Sequence, residues 1–250
     1  MRIRCIQTGV VRAKRGDRGI GRYVLDRWSD STLPVNAFLV EHPAGLCLFD
    51  VGQTARAAAP GYLPRWQPWL RLARFELRRD DEAAAQLGRL GLSPTDVRWV
   101  VLSHLHTDHV GGLDPFRGAQ VVVSRREWEA ATGLPGRIRG YLPQYWPAGL
   151  EPRLVDFGGS PLGPFPGTHD VAGDGTLLLV PTPGHSKGHA CLLVRGGGRP
   201  WLLVGDLAHT VADLERTAPA VAAFCRAEGV VPLAAHDARA RELLEGALAA

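Results

Sequence analysis

Ten consecutive residues, Ser103-His104-Leu105-His106-Thr107-Asp108-His109-Val110-Gly111-Gly112, hold three imidazoles and a carboxylate within six positions. That is the donor set that binds divalent cations such as zinc. His104 and His106 are two apart in a segment leaving the apolar run Trp99-Val100-Val101-Leu102, so an extended backbone points both rings the same way. Asp108 and His109 come next, and Val110-Gly111-Gly112 lets the chain turn closely around a bound ion. A lone histidine is ordinarily a packing or surface residue. Four ligand-type side chains in H-x-H-x-D-H read as a metal site.

Two closely spaced ions need more donors than this run supplies, and the rest of the chain offers them. His185 sits in Thr182-Pro183-Gly184-His185, after the apolar run 177–180. Asp206 closes Leu202-Leu203-Val204-Gly205-Asp206, and His236 follows Ala234-Ala235. Each lies just past a strand-like segment, so a sheet would gather them at one rim. His42 falls in a turn and His169 in a polar loop, and both read as structural. His189 reads as a support of the His185 turn, outside the ligand set. Asp50 ends the apolar Leu46-Cys47-Leu48-Phe49, where a bond to a ligand histidine and a turn cap are both open to it.

The elements that must position these residues follow from patterning. Strand-like segments fall at 2–11, 35–41, 46–50, 98–103, 120–124, 176–181, 190–195 and 201–204, with turns at His42-Pro43-Ala44-Gly45 and Ala172-Gly173-Asp174-Gly175. Helical patterns occupy 80–90, 124–131, 211–228 and 237–248, and Ser93-Pro94 looks like a short helix start. Each half carries both strands and helices, which two packed sheets with helices outside would satisfy. No repeat or linker divides 1–250, so one domain is expected. Two stretches differ in texture. In an aromatic and basic insertion at 54–80, Trp66, Trp69, Leu70, Ala73 and Leu77 recur among arginines at roughly helical spacing. An irregular loop at 132–150 is rich in Pro, Gly and aromatics, Tyr141 and Trp146 among them. Packing, a homodimer contact, a lid over a substrate and contact with a membrane surface all suit such stretches.

Composition removes several function classes. The 250 residues suffice for a sizeable core, and the net charge is only +4. Lys14 and Lys187 are the only lysines, and the arginines are scattered rather than massed, so no nucleic-acid-binding arm is present. Cys5, Cys47, Cys191 and Cys225 are far apart without a C-x-x-C pair and read as reduced thiols. No apolar run approaches the ~20 residues of a membrane span, and none at the start resembles a signal peptide, so a cytoplasmic protein without an integral membrane segment is expected. There is no Walker-type glycine loop.

Together, H-x-H-x-D-H, the Gly-His-Ser turn, the Gly-Asp pair and the late histidine resemble the metallo-β-lactamase superfamily, from about residue 35 to 240. The resemblance implies an α/β, four-layer αββα sandwich with its active site at one edge of the two sheets. It also implies that His104, His106 and His185 hold a first metal, that Asp108, His109 and His236 hold a second, and that Asp206 bridges them. Imidazole and carboxylate without thiolate suit zinc, with iron, manganese or cobalt as alternatives. "LPVNAFLVEHPAGLCLFDVG" at 33–52, "DGTLLLVPTPGHSKGH" at 174–189 and the spacing from Asp206 to Ala235-His236-Asp237 resemble the N-acyl homoserine lactonase branch. That branch implies a small-molecule substrate, a fatty-acylated lactone, with Trp66, Trp69, Tyr141 and Trp146 as candidate walls of an acyl groove. It usually carries a tyrosine three residues after the bridging aspartate, where the hydroxyl meets the substrate carbonyl; His209 stands there in this chain.

The implied chemistry is hydrolysis by a hydroxide shared between two ions roughly 3.5–4 Å apart, the metals bringing the pKa of bound water down to about 7. Asp108 is the candidate proton shuttle, and His209 the candidate donor to the developing oxyanion. The alternative readings are another dinuclear hydrolase, such as a glutathione thioesterase or an esterase, and a non-catalytic binding protein on the same fold.

Overall fold

The computed structural model describes residues 1–13, 31–62, 73–133, 136, 140–196 and 198–248. Seven strands make the first sheet: β1 (Arg2–Ala13), β2 (Leu33–His42), β3 (Gly45–Phe49), β4 (Ala73–Glu76), β5 (Val97–Val101), β6 (Gln120–Ser124) and β7 (Arg153–Val155). Their order is β4-β1-β2-β3-β5-β6-β7, antiparallel as far as β3 and parallel from β3 onward. The second sheet holds β8 (His169–Asp170), β9 (Leu177–Pro181), β10 (Ala190–Val194), β11 (Trp201–Gly205) and β12 (Val231–Ala234), in the order β12-β11-β10-β9-β8. Only β11 and β12 run parallel there.

Period-two alternation explains the layering. In β2, Phe38 and Val40 face the second sheet and join Leu179, Leu192 and Leu203 in a core between the sheets. Ala37 and Leu39 face outward, in a cluster with Ala83 and Leu87 of α1 (Ala83–Arg89) and Ala131 of α3 (Arg125–Thr132). On the far side, Cys191, Leu193, Leu202 and Val204 pack against Val221, Phe224 and Cys225 of α5 (Pro219–Ala227). The layers are therefore helix, sheet, sheet, helix, the αββα sandwich that the motifs implied. Further α-helices are α2 (Thr107–Val110), α4 (Leu214–Thr217) and α6 (Ala240–Leu248).

Two patterning expectations need correction, and one lies outside the described residues. Residues 73–76 do not continue a helix: β4 pairs Val10 with Glu76 and Val11 with Phe75, since the unpaired edge of β1 offers a ladder that propensity cannot foresee. Trp66, Trp69 and Leu70 lie outside the described residues. The single helix expected over 211–228 is broken, because Pro219 lacks an N–H and holds Ala218 out of helical geometry, at φ −146° and ψ 66°. All four cysteines are unpaired, as expected, and Cys47, Cys191 and Cys225 are buried. No helix among the described residues is long and apolar enough to cross a membrane.

Candidate metal centre

The donors gather where strands of both sheets end. His104 and His106 follow β5, His185 follows β9, Asp206 follows β11 and His236 follows β12. His106 caps α2, whose single turn carries Asp108 and His109. Three groups of donor atoms lie within 4.8 Å of one another: His104, His106 and His185; His104, His109 and Asp206; Asp108, His109 and His236. These are the seven side chains singled out in the sequence, brought together from positions 104 to 236.

Ring nitrogens face one another at close range. His106 Nδ1 lies 3.0 Å from His104 Nε2 and 2.9 Å from His185 Nε2. Asp206 Oδ1 lies 3.2 Å from both His109 Nε2 and His236 Nε2, and Oδ2 lies 3.5 Å from His185 Nε2. Asp108 Oδ2 is 3.8 Å from His236 Nε2 and 4.0 Å from His109 Nε2. One carboxylate, Asp206, thus faces both halves of the cluster.

The opposite ring nitrogens are tethered, which fixes the tautomers. His109 Nδ1 donates to Asp50 Oδ2 at 2.8 Å, and His236 Nδ1 donates to the Pro34 carbonyl at 2.7 Å. The Ser103 hydroxyl donates to Asp50 Oδ2, so its oxygen accepts from His104 Nδ1 at 2.9 Å. Nε2 of His104, His109 and His236 is left to face the centre. Asp50 therefore reaches a candidate ligand histidine directly.

His189 acts one step further back. Its Nε2 accepts the Asp206 backbone N–H at 3.2 Å, so Nδ1 donates to Thr182 Oγ1 at 2.9 Å. Its carbonyl also accepts Thr182 N–H, which closes the loop carrying His185. The strand end it supports demands glycine. Gly205 has φ +52°, and a Cβ there would stand 2.8 Å from Ser103 Cβ and 2.9 Å from His189 Nε2.

Electrostatics fit a cation. Burial, then the neighbouring His109, His106 and His185, drives His104 well below the usual imidazole range. Burial brings His185 down to about 4 and His189 to about 3. Against the opposing effect of burial, Asp206, Asp50 and Asp108 pull His109 well up, and Asp206 raises His236. Burial opposes ionisation of Asp206, yet His236 and His109 hold its carboxyl far below the ordinary range. The site therefore demands positive charge between Asp206, His109 and His236. His109 Nε2 and Asp206 Oδ1 are buried without a hydrogen bond of acceptable geometry, so the donors present suit divalent ions.

A cleft of about 630 Å³ opens onto the centre, lined by His185, Asp206 and His209 together with Phe165, Leu207, Ala218 and Val221. His209 is exposed on its wall, its ring 5.7 Å from that of His236. Tyr141 and Trp146 do not line this cleft. Tyr141 is buried with its ring 5.0 Å from that of His106 and its hydroxyl on Glu127, and Trp146 stacks on Trp128. His42 is buried and bonds Asp174 and Thr176, and His169 lies in β8; neither joins the cluster.

Sequence reasoning missed Glu127. Fully buried in the first turn of α3, it receives hydrogen bonds from Leu105 N–H, Tyr141 O–H, Ser186 O–H and Gly188 N–H. The only local signal is Ser124-x-x-Glu127, a pattern that by itself reads as a helix capping box.

Fold and site define a metallo-hydrolase scaffold, and comparison with known proteins gives its family. The family model described as the metallo-beta-lactamase superfamily matches residues 30–249, and the chain belongs to that superfamily. It is 33% identical over 228 residues to the N-acyl homoserine lactonase AttM of Agrobacterium fabrum, covering 87% of this chain and 80% of the relative. An N-acyl homoserine lactonase of a Bacillus species is 29% identical over 209 residues, covering 80% of this chain and 77% of that one. Among solved structures, an N-acyl homoserine lactone hydrolase with N-hexanoyl-L-homoserine bound at its catalytic metal centre superposes with a TM-score of 0.73 at 21% identity, covering 96% of this chain and 95% of that one. The dizinc quorum-quenching lactonase AidC gives 0.60 at 17% identity, covering 94% and 87%.

Proposed function

We propose that this chain is a metal-dependent hydrolase that opens the ring of N-acyl homoserine lactones. The observation that carries the reading is the Asp206 carboxylate, with Oδ1 on His109 and His236 and Oδ2 on His185, a shared face for two ions. The lactonase names of its relatives direct the choice of substrate.

His104, His106 and His185 would hold one ion, and Asp108, His109 and His236 the other; zinc suits this imidazole and carboxylate set. Bound there, the ions supply Lewis acidity and a water of lowered pKa, so the chain needs no serine or cysteine nucleophile. Its own residues do the rest. Asp108, half-buried beside His236 and His109, takes up the proton released on attack and returns it at its carboxylate to the ring oxygen that leaves. His209 donates a hydrogen bond to the lactone carbonyl from the cleft wall. Phe165, Leu207, Ala218 and Val221 offer an apolar wall to an acyl chain.

The test is metal analysis followed by a substrate panel. It contains acyl homoserine lactones of several chain lengths, a simple γ-lactone, a glutathione thioester, a phosphodiester and a β-lactam. Two ions per chain and preferred turnover of the acyl lactones are expected. Thioester turnover by the fully metallated protein without lactone turnover would overturn the reading.

A further inference from the structure

Glu127 makes no hydrogen bond to a candidate ligand side chain, yet all its hydrogen bonds go to residues beside them. Oε1 accepts from Leu105 N at 3.1 Å and Tyr141 Oη at 2.9 Å; Oε2 accepts from Ser186 Oγ at 2.7 Å and Gly188 N at 3.0 Å. Leu105 lies between His104 and His106, on the loop that leaves the first sheet. Ser186 follows His185, on the loop between β9 and β10 of the second sheet. Tyr141 in turn places its ring beside His106. A single carboxylate thus spans the two sheets behind the three imidazoles that face one another at 2.9–3.0 Å.

We propose that Glu127 is a positioning residue that fixes the separation of the His104/His106 loop from the His185 loop, and with it the metal affinity of that half of the centre. The inference rests on the metal-centre part of the proposed function.

Only a glutamate satisfies the geometry. The carboxylate meets four donors, two on each oxygen. A glutamine amide in either orientation would aim its NH₂ at a backbone N–H, of Leu105 or of Gly188, and a backbone N–H cannot turn round to accept. Aspartate is one methylene shorter and cannot reach both loops. The loops cannot close in to compensate, because Gly188 already lies against the backbone of α3, where a Cβ would stand 2.1 Å from Glu127 N. The buried network is fully satisfied, and each member lost leaves another unpaired away from water.

The experiment reads affinity for Zn²⁺ alone, by competition with a chromophoric chelator, in the full chain and in E127Q, E127D, S186A and Y141F. It also reads melting temperature with and without Zn²⁺. E127Q and E127D are expected to bind the first ion about 10–100-fold more weakly, and S186A and Y141F several-fold more weakly. The rise in melting temperature on adding Zn²⁺ is expected to shrink in all four. A merely structural glutamate would lower the metal-free melting temperature but leave Zn²⁺ affinity at the wild-type value, and that result in E127Q overturns the proposal. Should E127Q and E127D fail to fold, S186A and Y141F decide: wild-type affinity in both overturns it. No substrate enters this assay, so a failure of lactone turnover leaves the inference standing. A wild-type chain that binds no Zn²⁺ instead removes the metal reading itself.

Discussion

Asp50 and His109 are joined by a 2.8 Å hydrogen bond between two side chains that solvent scarcely reaches, with Asp50 in left-handed backbone at φ 58°. The same carboxylate accepts the Ser103 N–H and hydroxyl, and the Ser103 oxygen orients His104. One aspartate therefore aims an imidazole into each half of the centre. In Asp50→Asn the amide NH₂ must confront one of three donors, while asparagine tolerates the positive φ, so backbone strain does not confuse the result. The expected outcome is about 10–100-fold weaker binding of the ion held by His109, read by metal titration. Wild-type affinity would show that Asp50 serves only to cap its turn.

Gly205→Ala should destabilise the protein by about 2–4 kcal/mol. Strain at positive φ and overpacking against Ser103 and His189 both contribute. Urea denaturation of the metal-free protein measures this directly. Unchanged stability would mean that β11 can shift away from Ser103, contrary to the close approach seen.

His189 predicts a pH dependence of folding in metal-free protein. Burial holds its folded pKa at about 3, against 6.5 for an ordinary imidazole. Between those values the unfolded chain binds a proton that the folded chain refuses. Stability therefore rises with pH across this window, is complete above about 6.5 and is lost as pH falls toward 3, by about 1.4 kcal/mol per pH unit. His189→Gln should remove this contribution and flatten the slope of urea midpoint against pH. An unaltered slope would show that His189 is charged in the fold.

Asp206→Ala should cost the second ion and nearly all hydrolysis, because its two oxygens face ligands from both halves. Metal content and turnover test this together. Full turnover in the variant would refute a centre built around a shared carboxylate.

The cluster of candidate ligands was legible because H-x-H-x-D-H is contiguous and chemically unusual, and His185, Asp206 and His236 because each follows an apolar strand. The inner strands were equally plain; β6 matches its expected span at both ends. What could not be read was decided by contacts between distant segments. β4, β7 and β8 are edge strands of two to four residues, and pairing rather than pattern makes them strands. Tyr141 and Trp146 look like groove walls in a loop rich in Pro and Gly. Tyr141 also hydrogen-bonds Glu127 and Trp146 stacks on Trp128, contacts that the pattern does not announce. Glu127 itself needs partners 14 to 61 residues away, so no local pattern announces it.

The proposed carbonyl donor, His209, stands exposed on the cleft wall with His185 and Asp206. An imidazole N–H can donate to a carbonyl oxygen that gains charge as the ring opens, and a donor of that kind is worth about 10²–10³ in kcat where it is well placed. His209→Ala should therefore lower kcat on acyl homoserine lactones by at least tenfold with little change in KM. A loss confined to KM would mean that His209 binds the ground state and the transition state equally. His209→Tyr reaches further into the cleft with a hydroxyl donor and should raise kcat on the same lactones if the imidazole is held too far back. Three results together separate the cases. A loss in the alanine variant with a gain in the tyrosine variant identifies His209 as a short-reaching carbonyl donor. A loss in both makes the imidazole itself the fitted donor, matched to a lactone of different shape. Wild-type kinetics in both would move carbonyl recognition away from the loop after β11 altogether.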